Sequence, residues 1–161
     1  GHEFDDRDVV PQLAGIDKRY SDSNLGLRYS YLFEDSFFTM DMMQDISGYT
    51  KGQTVEMLYS YVIPFKNWDY NVSLGYTFTS ASVTDYYYGV RPHEVTSTRP
   101  YYNPGASHRM QVEVAAQYPI NENWVFNTGF NYSLHSNNIS KSPLTDKNDD
   151  ILLVASIRYV F

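Results

Sequence analysis

Seven stretches of this chain alternate apolar and polar residues with a period of two. That is the period of a strand and of no helix. In NLGLRYSYLFE, Leu25, Leu27, Tyr29, Tyr31 and Phe33 share one face, opposite Asn24, Gly26, Arg28, Ser30 and Glu34. SFFTMDMMQDI sets Phe38, Met40 and Met42 against Thr39, Asp41 and Asp45. GQTVEMLYSYVIP aligns Val55, Met57, Tyr59, Tyr61 and Ile63. NWDYNVSLGYTFTS opposes Trp68, Tyr70, Val72, Leu74, Tyr76 and Phe78 to Asp69, Asn71, Ser73, Gly75 and Thr77. HRMQVEVAAQYPI sets Met110, Val112, Val114, Ala116 and Tyr118 against Arg109, Gln111, Glu113 and Gln117. NWVFNTGFNYSLH aligns Trp124, Phe126, Thr128, Phe130, Tyr132 and Leu134. ILLVASIRYVF aligns Ile151, Leu153, Ala155, Ile157, Tyr159 and Phe161, with Ser156 and Arg158 between. The pattern predicts about seven antiparallel strands and no helix.

The connections alternate as well. Three are short, at 34–36, 65–67 and 121–123; three are longer, at 47–52, roughly 80–107 and 136–150. Short turns at one end and long loops at the other are the layout of an outer-membrane β-barrel. Aromatic residues follow the same division. Phe33, Phe37, Phe65, Trp68, Tyr118, Trp124, Tyr159 and Phe161 all lie close to a short turn or to the last residue, as a membrane-interface girdle requires. Nothing approaches the roughly 18–20 consecutive apolar residues of a spanning helix. The fold class expected is therefore an all-β, antiparallel transmembrane barrel of the outer-membrane type, in one domain over residues 1–161. An ordinary soluble sandwich is the competing fold. The final strand faces lipid in this reading, and Ile157, Tyr159 and Phe161 resemble the C-terminal signal read by the barrel-assembly machinery.

Strand parity carries a further expectation. With residue 161 on the periplasmic side, the strand at Leu25 starts outside, after an acidic segment containing Asp5, Asp6, Asp8, Asp17 and Asp22. Bacterial barrels have even strand numbers. An odd number of strands and a signal peptide are thus expected before Gly1. The alternative makes 1–12 an eighth strand, although FDDRDVVPQ alternates poorly and contains Pro11.

The formal net charge of −7 argues against nucleic-acid binding, and the absence of cysteine excludes disulfides and thiolate metal sites. The strands place Arg28, Asp41, Glu56, Asp69, Arg109, Glu113 and Arg158 on the polar, lumen face. Mixed signs favour internal pairing and a narrow or blocked pore over an ion-selective channel. Ser133 and His135 share that face, but no orienting carboxylate is evident, so no catalytic residue is assigned. His93, Glu94 and His108 lie in or beside the longest loop at spacings that match no metal signature. No cofactor is expected. Asp146, Asp149 and Asp150 form an acidic rim, whose alternative use is to bind cations that bridge lipopolysaccharide phosphates. The loop tyrosines invite a sugar-stacking reading beside that of an interface belt. Pro92, Pro100 and Pro104 predict an ordered loop folded over the barrel mouth.

Residues 85–118 carry more than composition. Tyr87, Tyr88, Gly89 and Val90, then Tyr102, Asn103 and Pro104, resemble the hallmark segment of the MipA/OmpV family of outer-membrane proteins. KSPLTDKNDD resembles that family's last loop through Ser142, Pro143, Asp146 and Lys147, and MMQDISG resembles its mid-barrel hairpin. The resemblance implies an outer-membrane barrel of about twelve strands when complete, of which this chain is the C-terminal part. It implies outer-membrane lipid and lipopolysaccharide as surroundings and the barrel-assembly machinery as a partner in biogenesis. It also implies a scaffold role between a periplasmic murein hydrolase and a murein synthase, a lytic transglycosylase and a penicillin-binding protein. Roles in adhesion or host recognition, and a small-solute pore, stand as alternatives. The family has no agreed catalytic residues, so none is carried over.

Overall fold

A computed structural model describes residues 13–145, 147 and 149–161. Asp5, Asp6, Asp8 and Asp146, and the alternative strand over 1–12, lie outside the described residues. The alternating stretches form one antiparallel sheet in sequence order. Its strands are β1 (Asn24–Leu32), β2 (Ser36–Asp45), β3 (Gln53–Phe65), β4 (Trp68–Thr79), β5 (Ser107–Pro119), β6 (Trp124–His135) and β7 (Asp149–Tyr159). With 9 to 13 residues each, they have the length that a tilted strand needs to cross a bilayer. The β3–β4 turn is only Lys66 and Asn67, with Lys66 at φ 57. So tight a turn fixes the register of the hairpin.

Register joins the apolar stripes into continuous rows. Tyr31, Phe38, Tyr59, Leu74, Val112, Tyr132 and Ile151 lie side by side across all seven strands. A row on the opposite face, three residues along, is Arg28, Asp41, Glu56, Thr77, Arg109 and His135. Burial then decides which face meets which solvent. Ser60 is 1% exposed and Ser73 3%, their hydroxyls 2.7 Å apart, while Leu74 beside Ser73 is 59% exposed and Leu153 is 74% exposed. Thr77 and Ser133 are also buried on the polar face. Among the described residues the buried hydrophobics are Val90, Ala116 and Ile139, and of these only Ala116 belongs to a strand. A water-soluble sheet would bury its stripe, because each Leu, Met or Phe removed from water contributes about 1.5–3 kcal/mol. Here the sheet is inside out. Its solvent on the apolar face is hydrocarbon, and the architecture is that of an outer-membrane β-barrel.

The aromatic girdle closes along the turn end. Trp68 on β4 meets Tyr70 at 6.0 Å, Tyr118 on β5 at 4.9 Å and Phe126 on β6 at 6.4 Å between ring centroids. Trp124 meets Tyr159 at 5.0 Å, and Tyr159 meets Phe161 at 5.1 Å. On the other flank Phe33 contacts Tyr31 and Tyr59. β1 and β7 are the two edges of the sheet, and neither has an outer strand partner among the described residues.

The loops depart from the sequence expectation of no helix. α1 (Ala81–Tyr88) and the helical turn α2 (Asn137–Ser140) occupy the two longest loops, with a 3-10 turn at Pro92–Glu94. ASVTDYYY has no amphipathic stripe and, beyond Ala81, no strong helix former, so local signals do not announce it. Tertiary contacts hold it instead. Thr84 is fully buried, and its Oγ1 lies 2.9 Å from Ser107 Oγ at the start of β5. No helix among the described residues is long and apolar enough to cross a membrane.

Candidate functional site

The densest polar packing lies at the loop end of the sheet, where three segments form a lid. The first is the strap, residues 13–23, which leads into β1. The second is the 80–106 loop between β4 and β5. The third is the 136–145 loop between β6 and β7. Serine anchors the second segment to the sheet: Ser80 N–H donates to the Gln53 carbonyl at 2.9 Å, and Gln53 N–H donates to Ser80 Oγ at 2.9 Å. Val90 and Tyr102 then pair as an antiparallel bridge that pinches the long loop shut.

The residues that carried the family resemblance meet here. Gly89 N–H donates to the Asp85 carbonyl at 3.0 Å, and a Cβ on Gly89 would collide with that oxygen. Tyr88 offers its carbonyl to Ser142 Oγ at 2.6 Å, which ties the second segment to the third. Tyr102 donates its hydroxyl to the Asn138 carbonyl at 2.7 Å, and Asn138 Nδ2 donates to the Pro104 carbonyl at 2.9 Å. The MMQDISG stretch folds around Asp45. This buried carboxylate accepts from the backbone N–H groups of Ser47, Thr50 and Lys51 at 2.7–2.8 Å.

Tyrosine hydroxyls fasten the strap. Tyr86 Oη accepts from Tyr20 N–H at 2.9 Å. Tyr87 Oη accepts from Asp22 N–H at 3.2 Å and donates to Asp22 Oδ1 at 3.0 Å. Burial pushes the Tyr87 hydroxyl up to about 12, so it keeps its proton at neutral pH. Three of the loop tyrosines are thus committed to internal bonds, whereas Tyr101 is exposed.

The charged centre of the lid is Glu94, 1% exposed. Its carboxylate accepts from Asp17 N–H at 3.0 Å, Arg91 N–H at 2.8 Å and Arg19 Nη2 at 2.9 Å. Asp17 in turn holds Arg91 Nη1 at 2.6 Å and His93 Nε2 at 2.8 Å. Arg99, also buried, donates Nη2 to the carbonyls of Glu94 and Ala14 at 2.8 and 3.1 Å. Burial pushes the Glu94 carboxyl up, but the Arg19 guanidinium and the two backbone N–H donors outweigh it and hold it below the usual range. His93 first and Arg91 second hold the Asp17 carboxyl low. Asp17, His93 and Glu94 converge closely enough to ligate a metal. Arg19 and Arg91 already neutralise both carboxylates, however, so the arrangement is an ion-pair clasp. His108 lies apart, with Nδ1 2.5 Å from Tyr76 Oη and its ring beside Phe78.

The lumen charges are only partly gathered. Arg28 grips Asp41 through two bonds of 2.6 and 2.9 Å. Arg109 Nη2 lies 3.7 Å from Glu56 and donates to Thr77 Oγ1 at 3.2 Å. These four charged residues line a cavity of about 310 Å³. Glu113 meets Asn131 at 3.4 Å, while Asp69 and Arg158 have no ion partner among the described residues. Contrary to expectation, His135 does have an orienting carboxylate, Asp150, at 3.0 Å. Ser133 Oγ donates to Asn131 Oδ1 at 3.0 Å instead of to His135, so no nucleophile is coupled to that pair.

Sequence reasoning missed Asp17 and Arg19 as partners of Glu94. No local pattern links residues 75 or more positions apart. Arg91 and Glu94, three apart across Pro92, carry the one short-range contact, the Glu94 carboxylate accepting from Arg91 N–H.

Comparison with known proteins agrees with this geometry. The model of the family described as MltA-interacting protein MipA matches residues 3–161. Outer membrane protein Omp26La of Vibrio anguillarum is 26% identical over 156 residues, and outer membrane protein OmpV of Vibrio cholerae serotype O1 is 27% identical over 156. Each alignment covers 97% of this chain and 61% of the relative. The MltA-interacting protein of Escherichia coli K12 is 25% identical over 151 residues, or 93% of this chain and 61% of that protein. The chain therefore spans about 61% of the length of these relatives. No solved structure matches it.

Proposed function

The chain belongs to the MltA-interacting protein MipA family of outer-membrane proteins, and from that premise we propose that it serves as an interaction protein for murein-remodelling enzymes rather than as an open pore. The observation that carries this reading is the lid. Three segments pinned together by hydrogen bonds lie at the loop end, and charges pair on the polar face below them. That leaves the turn end, with its short connections and aromatic girdle, as the face towards the periplasm. In this reading the long loops are extracellular, and residues 1–161 belong to a single barrel domain of about twelve strands. Lipid and lipopolysaccharide surround the stripe. Ile157, Tyr159 and Phe161 are the strand that the assembly machinery grips. The enzyme partners in this reading are a lytic transglycosylase and a penicillin-binding protein; the name of the Escherichia coli relative, MltA-interacting protein, supports the first of them.

The test uses the full-length protein. Cross-linking in intact envelopes, followed by affinity purification, should recover a lytic transglycosylase. Recovery of neither enzyme class removes the scaffold reading. The lumen cavity lined by Arg28, Asp41, Glu56 and Arg109 favours a second reading, a small-solute pore. Single-channel steps from the purified full-length barrel at neutral pH would support that pore, and silence would dispose of it.

A further inference from the structure

Glu94 is nearly sealed from solvent, yet it is the ion partner of a guanidinium on another segment. Arg19 Nε and Nη1 are buried with no hydrogen-bond partner of their own. Neutralising Glu94 would therefore leave a mostly buried cation with only a long bond to the Gly89 carbonyl, at 3.4 Å, and the Tyr86 ring, which is more costly than losing an exposed pair. We propose that Glu94 is the release point of an acid-sensitive clasp that fastens the 13–23 strap to the 80–106 loop and lets go when its carboxylate takes up a proton.

Every element packed around Glu94 contributes to the balance. The strap supplies Arg19 and Asp17, with Lys18 held over the Tyr20 ring. α1 supplies Tyr86, whose ring lies 5.8 Å from the Arg19 guanidinium carbon and 5.9 Å from that of Arg91. α1 also supplies Tyr87, bonded to Asp22. The 89–99 stretch supplies Arg91, His93 and Arg99. A carboxylate accepts only, whereas the protonated acid must donate one hydrogen. A proton on Glu94 therefore disrupts the acceptor set that holds Asp17 N–H, Arg91 N–H and Arg19 together. His93 in its charged form strengthens its contact with Asp17, so acid acts through the carboxylates and not through the imidazole.

The sign follows from the depressed carboxyls. Glu94 and Asp17 both titrate below their ordinary values of 4.5 and 3.8. Their contribution is complete above that range and is lost as pH falls through the lowered values. The clasp is shut at neutral pH and opens only in strong acid. The strands, held by backbone ladders, stay paired.

The inference needs the lid but not the murein partner, so the two can fail separately. Hydrogen exchange of the full-length barrel in detergent micelles, corrected for intrinsic rates, tests it on peptides covering 13–23 and 89–99. Protection in both is expected at pH 7 and is expected to fall as pH is lowered below the ordinary carboxylate range, at least tenfold by pH 2, with β3–β6 unchanged. Glu94→Gln should lose the same protection already at pH 7, and Arg19→Gln should match it. A wild-type strap as protected at pH 2 as at pH 7 overturns the clasp, whether or not the variants fold. A folded Glu94→Gln barrel with a fully protected strap at pH 7 overturns it equally.

Discussion

Leu74→Arg is expected to destabilise the inserted barrel by about 2–4 kcal/mol, the cost of a cation on the lipid face near the bilayer midplane. Leu74 is the seventh of the twelve residues of β4, far from both ends of the strand. Its row runs through Tyr59 and Val112 on the neighbouring strands, so no carboxylate beside it can pair with the charge. The prediction discriminates because Leu74 is already mostly exposed. In a water-soluble sandwich an exposed Leu→Arg change is worth within about 0.5 kcal/mol either way. Urea-induced unfolding from lipid vesicles measures the difference. A change below about 0.5 kcal/mol would mean that the stripe does not meet hydrocarbon.

Trp68→Ala is expected to cost about 2–4 kcal/mol in the same assay, and Trp124→Ala about 1. The ratio comes from ring contacts. Trp68 meets three aromatic rings, on β4, β5 and β6, whereas Trp124 meets Tyr159. Each aromatic pair is worth about 0.5–1.5 kcal/mol beyond burial. Equal costs for the two variants would show that the tryptophans act as independent interface anchors and not as members of a packed girdle.

What the sequence discloses follows from the range of each interaction. The stripe is legible because its period is local, and Leu25 to Phe33 or Trp68 to Phe78 can be read residue by residue. The short turns then imply the registers that bring Arg28 opposite Asp41 and Ser60 opposite Ser73. Asp45 followed by Ser47 is a local turn signal with the same transparency. The lid is opaque for the opposite reason. α1 is a helix because Thr84 reaches Ser107 and its tyrosines receive the strap, not because its own residues favour one. Arg19 and Glu94 find each other across 75 positions, and Tyr88 and Ser142 across 54. The prolines at 92, 100 and 104 signalled order in that loop without saying what ordered it.

The central claim is that one face of the sheet is solvated by hydrocarbon and the other is not. These 161 residues have no cysteine, so single cysteines introduced along β4 are spin-labelled with no background from this part of the barrel. Collision with oxygen, which concentrates in the bilayer core, should alternate with a period of two: high at Tyr70→Cys, Val72→Cys, Leu74→Cys and Tyr76→Cys, and low at Asn71→Cys, Ser73→Cys and Thr77→Cys. An alternation of opposite phase, or none at all in vesicles holding the folded full-length barrel, would contradict the account.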